Sequence, residues 1–209
     1  MVVTTNKKLK DMKIGIAGMR SKCFAKVLDR NNVNYQRISV NEIDETFDLV
    51  FESGLYKIIP DNILKKPKFG IIGIHESPLP EGKGHAPIQW AVLNNRKNLS
   101  VTLYKLDTGV DSGKIIHCVN MPILKTDTLI ELNKKRLEGI EKVFSVFIEE
   151  LSKGFIVLRE QTGRGSYHKK RDKNSCQLNS ENKLIDLWDQ IRVCDNELYP
   201  AWFRIGKRK

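Results

Sequence analysis

A chain of 209 residues with a formal net charge of +11 and 40% hydrophobic residues is long enough to bury one sizeable core and leaves room for little more than a small appendage. No run approaches the roughly eighteen apolar residues of a membrane span, and the opening MVVTTNKKLKDM lacks the apolar middle of a secretory signal. A cytoplasmic protein with no membrane partner is therefore expected. The positive charge favours an anionic partner such as nucleic acid, a phosphorylated metabolite or an acidic surface. A merely solvated basic surface is the alternative, because dense runs occur only at His168 to Lys173 and Lys207 to Lys209. Cys23, Cys118, Cys176 and Cys194 are far apart, without C-x-x-C spacing, and are predicted to be free thiols.

In chain order, residues 1–12 read as a polar lead-in. Lys13 to Ala17 is a short buried strand, Gly18 a turn, and SKCFAKVLDR a helix. NYQRISV and Asp48 to Ser53 supply two more strand-like runs, which is how an α/β sheet with crossovers begins. Such sheets bind ligands beyond the carboxyl ends of their strands. The turn has one glycine where a dinucleotide fingerprint needs three. Arg20, Ser21 and Lys22 follow a strand and open a helix, a place that suits a substrate phosphate; a helix start with solvated basic residues is the other reading.

SGLYKIIPDNIL carries apolar residues a solvated loop would not need, so it either packs as a helical turn or lines an apolar slot. Phe69 to His75 is predicted as a central strand buried on both faces. ESPLPEGKGHAP is a rigid excursion built on proline and glycine, and helix restarts at Pro87. Ser100 to Leu106 and Lys114 to Ile123 alternate as strands, joined by the turn-rich DTGVDSG. Thr128 and Glu131 make a capping box ahead of an apolar stripe that runs to Lys153, with Gly154 at the stop. From Glu160 the composition shifts to a long connection without periodicity, followed by an amphipathic helix over LIDLWDQIRVC and an aromatic, basic tail.

An imidazole at a strand's carboxyl end, met by a carboxylate from a neighbouring loop, makes a general base with an orienter. His75 and Asp111 form that pair if their strands are neighbours; a satisfied core histidine is the alternative. No serine or cysteine stands in a nucleophile elbow. His75 and His85, ten apart across a proline loop, have poor metal-ligand spacing, so no metal is expected.

The run IHESPLPEGKGHAPIQWAVLN followed by VTLYKLDTGVDSGKI resembles the folate-dependent formyltransferases, the methionyl-tRNA and sugar N-formyltransferase type. The resemblance extends over nearly the whole chain from Lys13. It implies an α/β fold with a Rossmann-like open, twisted, mostly parallel sheet flanked by helices. Residues 1–158 would form the catalytic domain, and 159–209 a linker with a short C-terminal extension. It also implies transfer of a formyl group from N10-formyltetrahydrofolate to a primary amine, with His75 and Asp111 catalytic. Ser77, Pro78, Leu79 and Pro80 match the folate-contacting S-x-L-P; Tyr56, Lys57, Ile58 and Ile59 match the apolar loop that holds the pterin; Gly109 and Val110 match the backbone beside the aspartate. One departure stands out. Where the family pattern has a catalytic Asn two residues before the histidine, this chain has Gly73. A replaced donor is expected, supplied by His75 as imidazolium, by a backbone N–H or by a water admitted in place of the side chain.

Family acceptors include initiator methionyl-tRNA, glycinamide ribonucleotide and nucleotide-linked amino sugars. GMRSKCF matches the glycinamide enzymes' phosphate loop poorly, and the room after the linker is short for the basic second domain of the tRNA enzyme. A nucleotide-linked amino sugar is therefore the expected acceptor, which implies a setting in lipopolysaccharide or O-antigen biosynthesis, with tRNA the alternative. A formyltetrahydrofolate hydrolase or a non-catalytic folate-binding module stands as a rival of another class. A homodimer packed through Trp202 and Phe203 is left open.

Overall fold

The structure, a computed structural model, describes residues 1–55 and 58–206. Its elements in chain order are β1 (Val2–Thr4), β2 (Ile14–Ala17), α1 (Ser21–Arg30), β3 (Gln36–Arg37), β4 (Leu49–Glu52), α2 (Asp61–Leu64), β5 (Ile71–His75), β6 (Lys83–Gly84), α3 (Pro87–Leu93), β7 (Asn98–Lys105), β8 (Ile115–Pro122), α4 (Leu129–Ser152), β9 (Phe155–Val157), β10 (Tyr167–His168) and α5 (Leu184–Arg192). Six strands form the central sheet in the order β3-β2-β4-β5-β7-β8. The pairs from β3 to β5 are parallel; β7 and β8 join antiparallel. The fold is the expected α/β layer, with an antiparallel edge added where β7 and β8 follow one another through a short turn.

Strand alternation sends side chains to two cores. Leu49, Phe51, Ile72 and Ile74 face one side, where α1 and α4 cover them. Val50 and Ile71 face the other, against Ile43, Phe47, Ile59 and Leu64. The helix side is closed by aromatic rings, with Phe144 of α4 lying 4.7 Å from Phe24 and 4.6 Å from Phe51 between ring centres. Truncating such a ring to Ala costs about 3–5 kcal/mol. Helix α4 starts where the capping box predicts: the Thr128 side chain accepts from the Ile130 N–H, and the Thr128 N–H donates to Glu131 at 3.0 Å. It stops before Gly154, whose φ of +89° only glycine adopts without strain.

Three expectations change. Residues 1–12 are not a polar lead-in, because Val2–Thr4 pairs antiparallel with β9 and Leu9 and Met12 enter the core. Of NYQRISV, only Gln36–Arg37 pairs as strand, at the exposed sheet edge. The connection after Glu160 also does more than span distance. Tyr167–His168 pairs in parallel with Lys83–Gly84, so the chain returns to brace the excursion that follows His75.

Register places the site. Glu52 of β4 is opposite Gly73 of β5, and Gly73 is opposite Tyr104 of β7. Residues in direct register share a face, so these three make a row across the sheet, with His75 and Thr102 in the next row toward the carboxyl ends of β4 and β5.

Candidate active site

A cleft of about 710 Å³ opens over that row, within the size range of small-molecule sites. His75 ends β5 and is buried. Its Nε2 lies 2.8 Å from the Gly82 carbonyl, an acceptor only, so Nε2 carries the proton. The Gly82 N–H is in turn held by Ser166 Oγ at 2.9 Å. Nδ1 faces Asp111 Oδ2 at 3.5 Å. The pair inferred from the residue types is therefore brought together, with the tautomer held by the Gly82 carbonyl and the carboxylate set against the other nitrogen.

Asp111 sits in the β7–β8 turn at a φ of +48°, a left-handed conformation rare outside glycine, Asn and Asp. Several bonds hold it there. Gly84 N–H and Tyr104 Oη–H each donate to its carboxylate at 2.8 Å. The Gln161 side chain donates to the Asp111 carbonyl at 2.9 Å and the Gly113 carbonyl at 2.8 Å. Burial first, then the Asp111 charge and hydrogen bond, raise the Tyr104 hydroxyl well above its ordinary value of 10.0. Tyr104 therefore stays a neutral donor.

The cleft is lined by two kinds of residue. Leu55, Ile58, Ile59, Leu64, Leu106 and Val110 give an apolar slot. The lining also holds Arg20, which precedes α1, and Arg136 and Asn133 from α4, with Glu76 contacting both arginines. Arg20 Nη2 is 3.1 Å and Arg136 Nε 4.0 Å from Glu76 Oε1. Gly54 makes room for the Arg20 guanidinium, since a Cβ there would lie 2.7 Å from it.

Of the other expected site residues, Ile58, Ile59, Gly109, Val110 and Arg20 line the cleft. Tyr56 and Lys57 lie outside the described residues. Ser77, Pro78, Leu79 and Pro80 are not on this wall. The Ser77 carbonyl is drawn under β7 by Thr102 Oγ1 at 2.6 Å, and Ser77 and Pro78 border a separate small hollow beside Arg96. Ser21 and Lys22 are likewise off the wall. Leu106 packs beside Gly73, where a Cβ would meet its Cδ2 at 2.6 Å. Among the described residues no cluster of three His, Cys, Asp or Glu is placed to hold a metal, and no helix is long and apolar enough to cross a membrane.

Sequence reasoning passed over Glu52, Tyr104, Glu76, Arg136 and Gln161. Glu52 alone gave a usable signal, as a charged residue at the carboxyl end of the buried run LVFE. It is only 8% exposed, and its carboxyl is raised from 4.5 to about 7, chiefly by burial.

A family model described as formyl transferase matches residues 2–148. The methionyl-tRNA formyltransferase of Thermodesulfovibrio yellowstonii is 32% identical over 154 residues, which is 73% of this chain and 49% of that protein. The chain spans about half the length of the curated relatives it matches. A formyltransferase from Anoxybacillus kamchatkensis, solved with UDP-4,6-dideoxy-4-formamido-L-AltNAc and tetrahydrofolate, superimposes with a TM-score of 0.64 at 27% identity, covering 76% of this chain and 85% of that one. A 4-N formyltransferase from Francisella tularensis has the same fold, with a TM-score of 0.81 at 15% identity over 96% of this chain and 95% of that one.

Proposed function

The chain belongs to the formyl transferase family, and from that premise we propose that it moves the formyl group of N10-formyltetrahydrofolate to the primary amine of a nucleotide-linked amino sugar. One observation carries the reading: the His75–Asp111 pair lines the same cleft as an apolar group of side chains and two arginines. The slot of Ile58, Ile59, Leu106 and the Gly109–Val110 backbone suits a flat heterocycle, and Arg20 and Arg136 suit a diphosphate. Residues 1–158 carry the reaction, and the chain beyond them returns through Gln161, Ser166 and Tyr167–His168 to steady the loops around it.

The amine attacks the formyl carbon while His75 takes its proton at Nδ1, the nitrogen that the Gly82 bond leaves without one. Asp111 then balances the imidazolium charge. Collapse breaks the bond to N10, which receives the proton, so a formamide and tetrahydrofolate leave. A second reading, formylation of methionyl-tRNA, is favoured by the names of the curated relatives and by the net charge of +11.

The test is incubation with N10-formyltetrahydrofolate and a panel of amino-sugar nucleotides, set against charged methionyl-tRNA. Turnover with a sugar nucleotide is expected. Turnover with tRNA alone would establish the second reading. Formate release without acceptor would indicate a hydrolase, and folate binding with no turnover a binding module.

A further inference from the structure

We propose that Glu52, as a neutral carboxylic acid, donates the hydrogen bond that holds the oxygen made negative when the formyl carbonyl is attacked, doing so from the strand beside a residue that has no side chain to offer. This role rests on the formyl-transfer reading above. Attack converts a carbonyl into an oxyanion, and a preorganised donor aimed at that oxygen is a large part of catalysis in acyl transfer.

Most donors around His75 are already committed. Tyr104 Oη–H and Gly84 N–H serve Asp111, His75 Nε2–H serves the Gly82 carbonyl, Gly82 N–H serves Ser166, and Gly109 N–H serves Asp107. Glu52 is differently placed. It shares the row of Gly73 and Tyr104 and lines the same cleft as His75 and Asp111. Its Oε1 accepts the Leu55 N–H at 2.6 Å, which fixes the carboxyl plane. Its Oε2 is directed over Gly73, 3.5 Å from where a Cβ would stand. Leu106 packs on that same spot, so Leu106 and the acid together border the place a side chain from position 73 would fill.

The protonation state follows from the surroundings. Burial raises the carboxyl to about 7, with the Glu76 and Asp111 charges adding to the rise, while the Leu55 N–H and the Arg20 charge oppose it. A carboxylic acid kept neutral in this way becomes a donor instead of a repelling anion, and its proton stays on Glu52 throughout the step. Amine, formyl carbon and leaving nitrogen exchange bonds as described above, with only the hydrogen-bond partner of the formyl oxygen now specified.

The experiment compares Glu52→Ala, Glu52→Gln and Gly73→Asn with the unaltered chain. Loss of the donor in Glu52→Ala is expected to lower kcat on the order of a hundredfold, with affinity for 5-formyltetrahydrofolate unchanged by fluorescence titration. Glu52→Gln, still a neutral donor, is expected to keep most of kcat and to lose the fall in activity above about pH 7 that ionisation of Glu52 imposes. Infrared difference spectra of the resting protein against Glu52→Gln should show a protonated carboxyl at pH 6 that disappears by pH 8. Gly73→Asn should leave the rate unchanged or lower. A Gln variant as slow as the Ala variant, an ionised carboxyl at pH 6, or a hundredfold gain from Gly73→Asn would each overturn the role while formyl transfer stands. An unaltered chain inactive toward every acceptor would overturn the transfer reading and this role with it, even if the infrared titration appeared as expected.

Discussion

The carboxyl ends of β4 and β5 carry two buried glutamates in opposite company. Glu76, just past β5, is the counter-ion of Arg20 and Arg136. Glu52, at the end of β4, has one backbone N–H at 2.6 Å and two neighbouring carboxylates, with Arg20 acting only at a distance. The same side chain therefore serves in one place as part of an ion-paired wall and in the other as an acid that holds its proton near neutrality. Neighbours and burial, more than residue type, assign the chemistry. On the proposed function, the contrast separates the arginines that would meet an anionic group from the acid that would meet the charge developed in the reaction.

The sharpest way to break this division is at the reacting pair. His75→Ala or Asp111→Ala is expected to lower kcat about a thousandfold while folate affinity, followed by fluorescence titration, stays within about twofold. Near-normal turnover by either variant would contradict their assignment to the reaction. Next in size is the cationic wall. Arg20→Ala should raise KM for the acceptor by about tenfold or more, the loss of a charge-assisted bond to a phosphate, with kcat little altered; a fall confined to kcat would move Arg20 to the reacting side.

Gln161→Ala removes the bonds that steady the Asp111 turn. About a tenfold loss of kcat is expected from the displaced carboxylate, at unchanged KM, and an unaffected rate would show that the remaining bonds to Asp111 suffice. The remaining effect is on stability, not on rate. Glu52 holds its proton up to about pH 7 when folded but releases it near 4.5 when exposed. The folded state therefore loses stability as pH rises through that window, and the loss is complete above it. Relative to the unaltered chain, Glu52→Gln should gain about 3 kcal/mol at pH 8 and almost nothing at pH 4, read as a melting-temperature difference that grows with pH.

Local patterns were legible where one residue's environment depends on its own neighbours in sequence. The Thr128–Glu131 box and the stripe to Leu151 located α4 to within a residue. The apolar run to His75 located the central strand. Residues whose partners are distant were not legible. Val2–Thr4 is strand only because Phe155–Val157 lies beside it, and Gln161 matters only because the chain folds back over Asp111. Ser77 to Pro80 show the opposite case: a motif matched in sequence whose residues do not line the cleft, with the Ser77 carbonyl bonded to Thr102.

From the sequence by itself came the α/β class, the identity of His75 and Asp111 as a pair, and the oddity of Gly73, because helical and strand periodicities and a long local motif are properties of the chain alone. Only the tertiary structure decided what surrounds them. Strand register set Glu52 and Tyr104 on either side of Gly73, and helix packing brought Arg136 beside Arg20 and Glu76. A hydrogen bond, a desolvated acid and an ion pair are each made by groups far apart in sequence, and their energies exist only once folding has put them a few ångströms apart and removed the water between them.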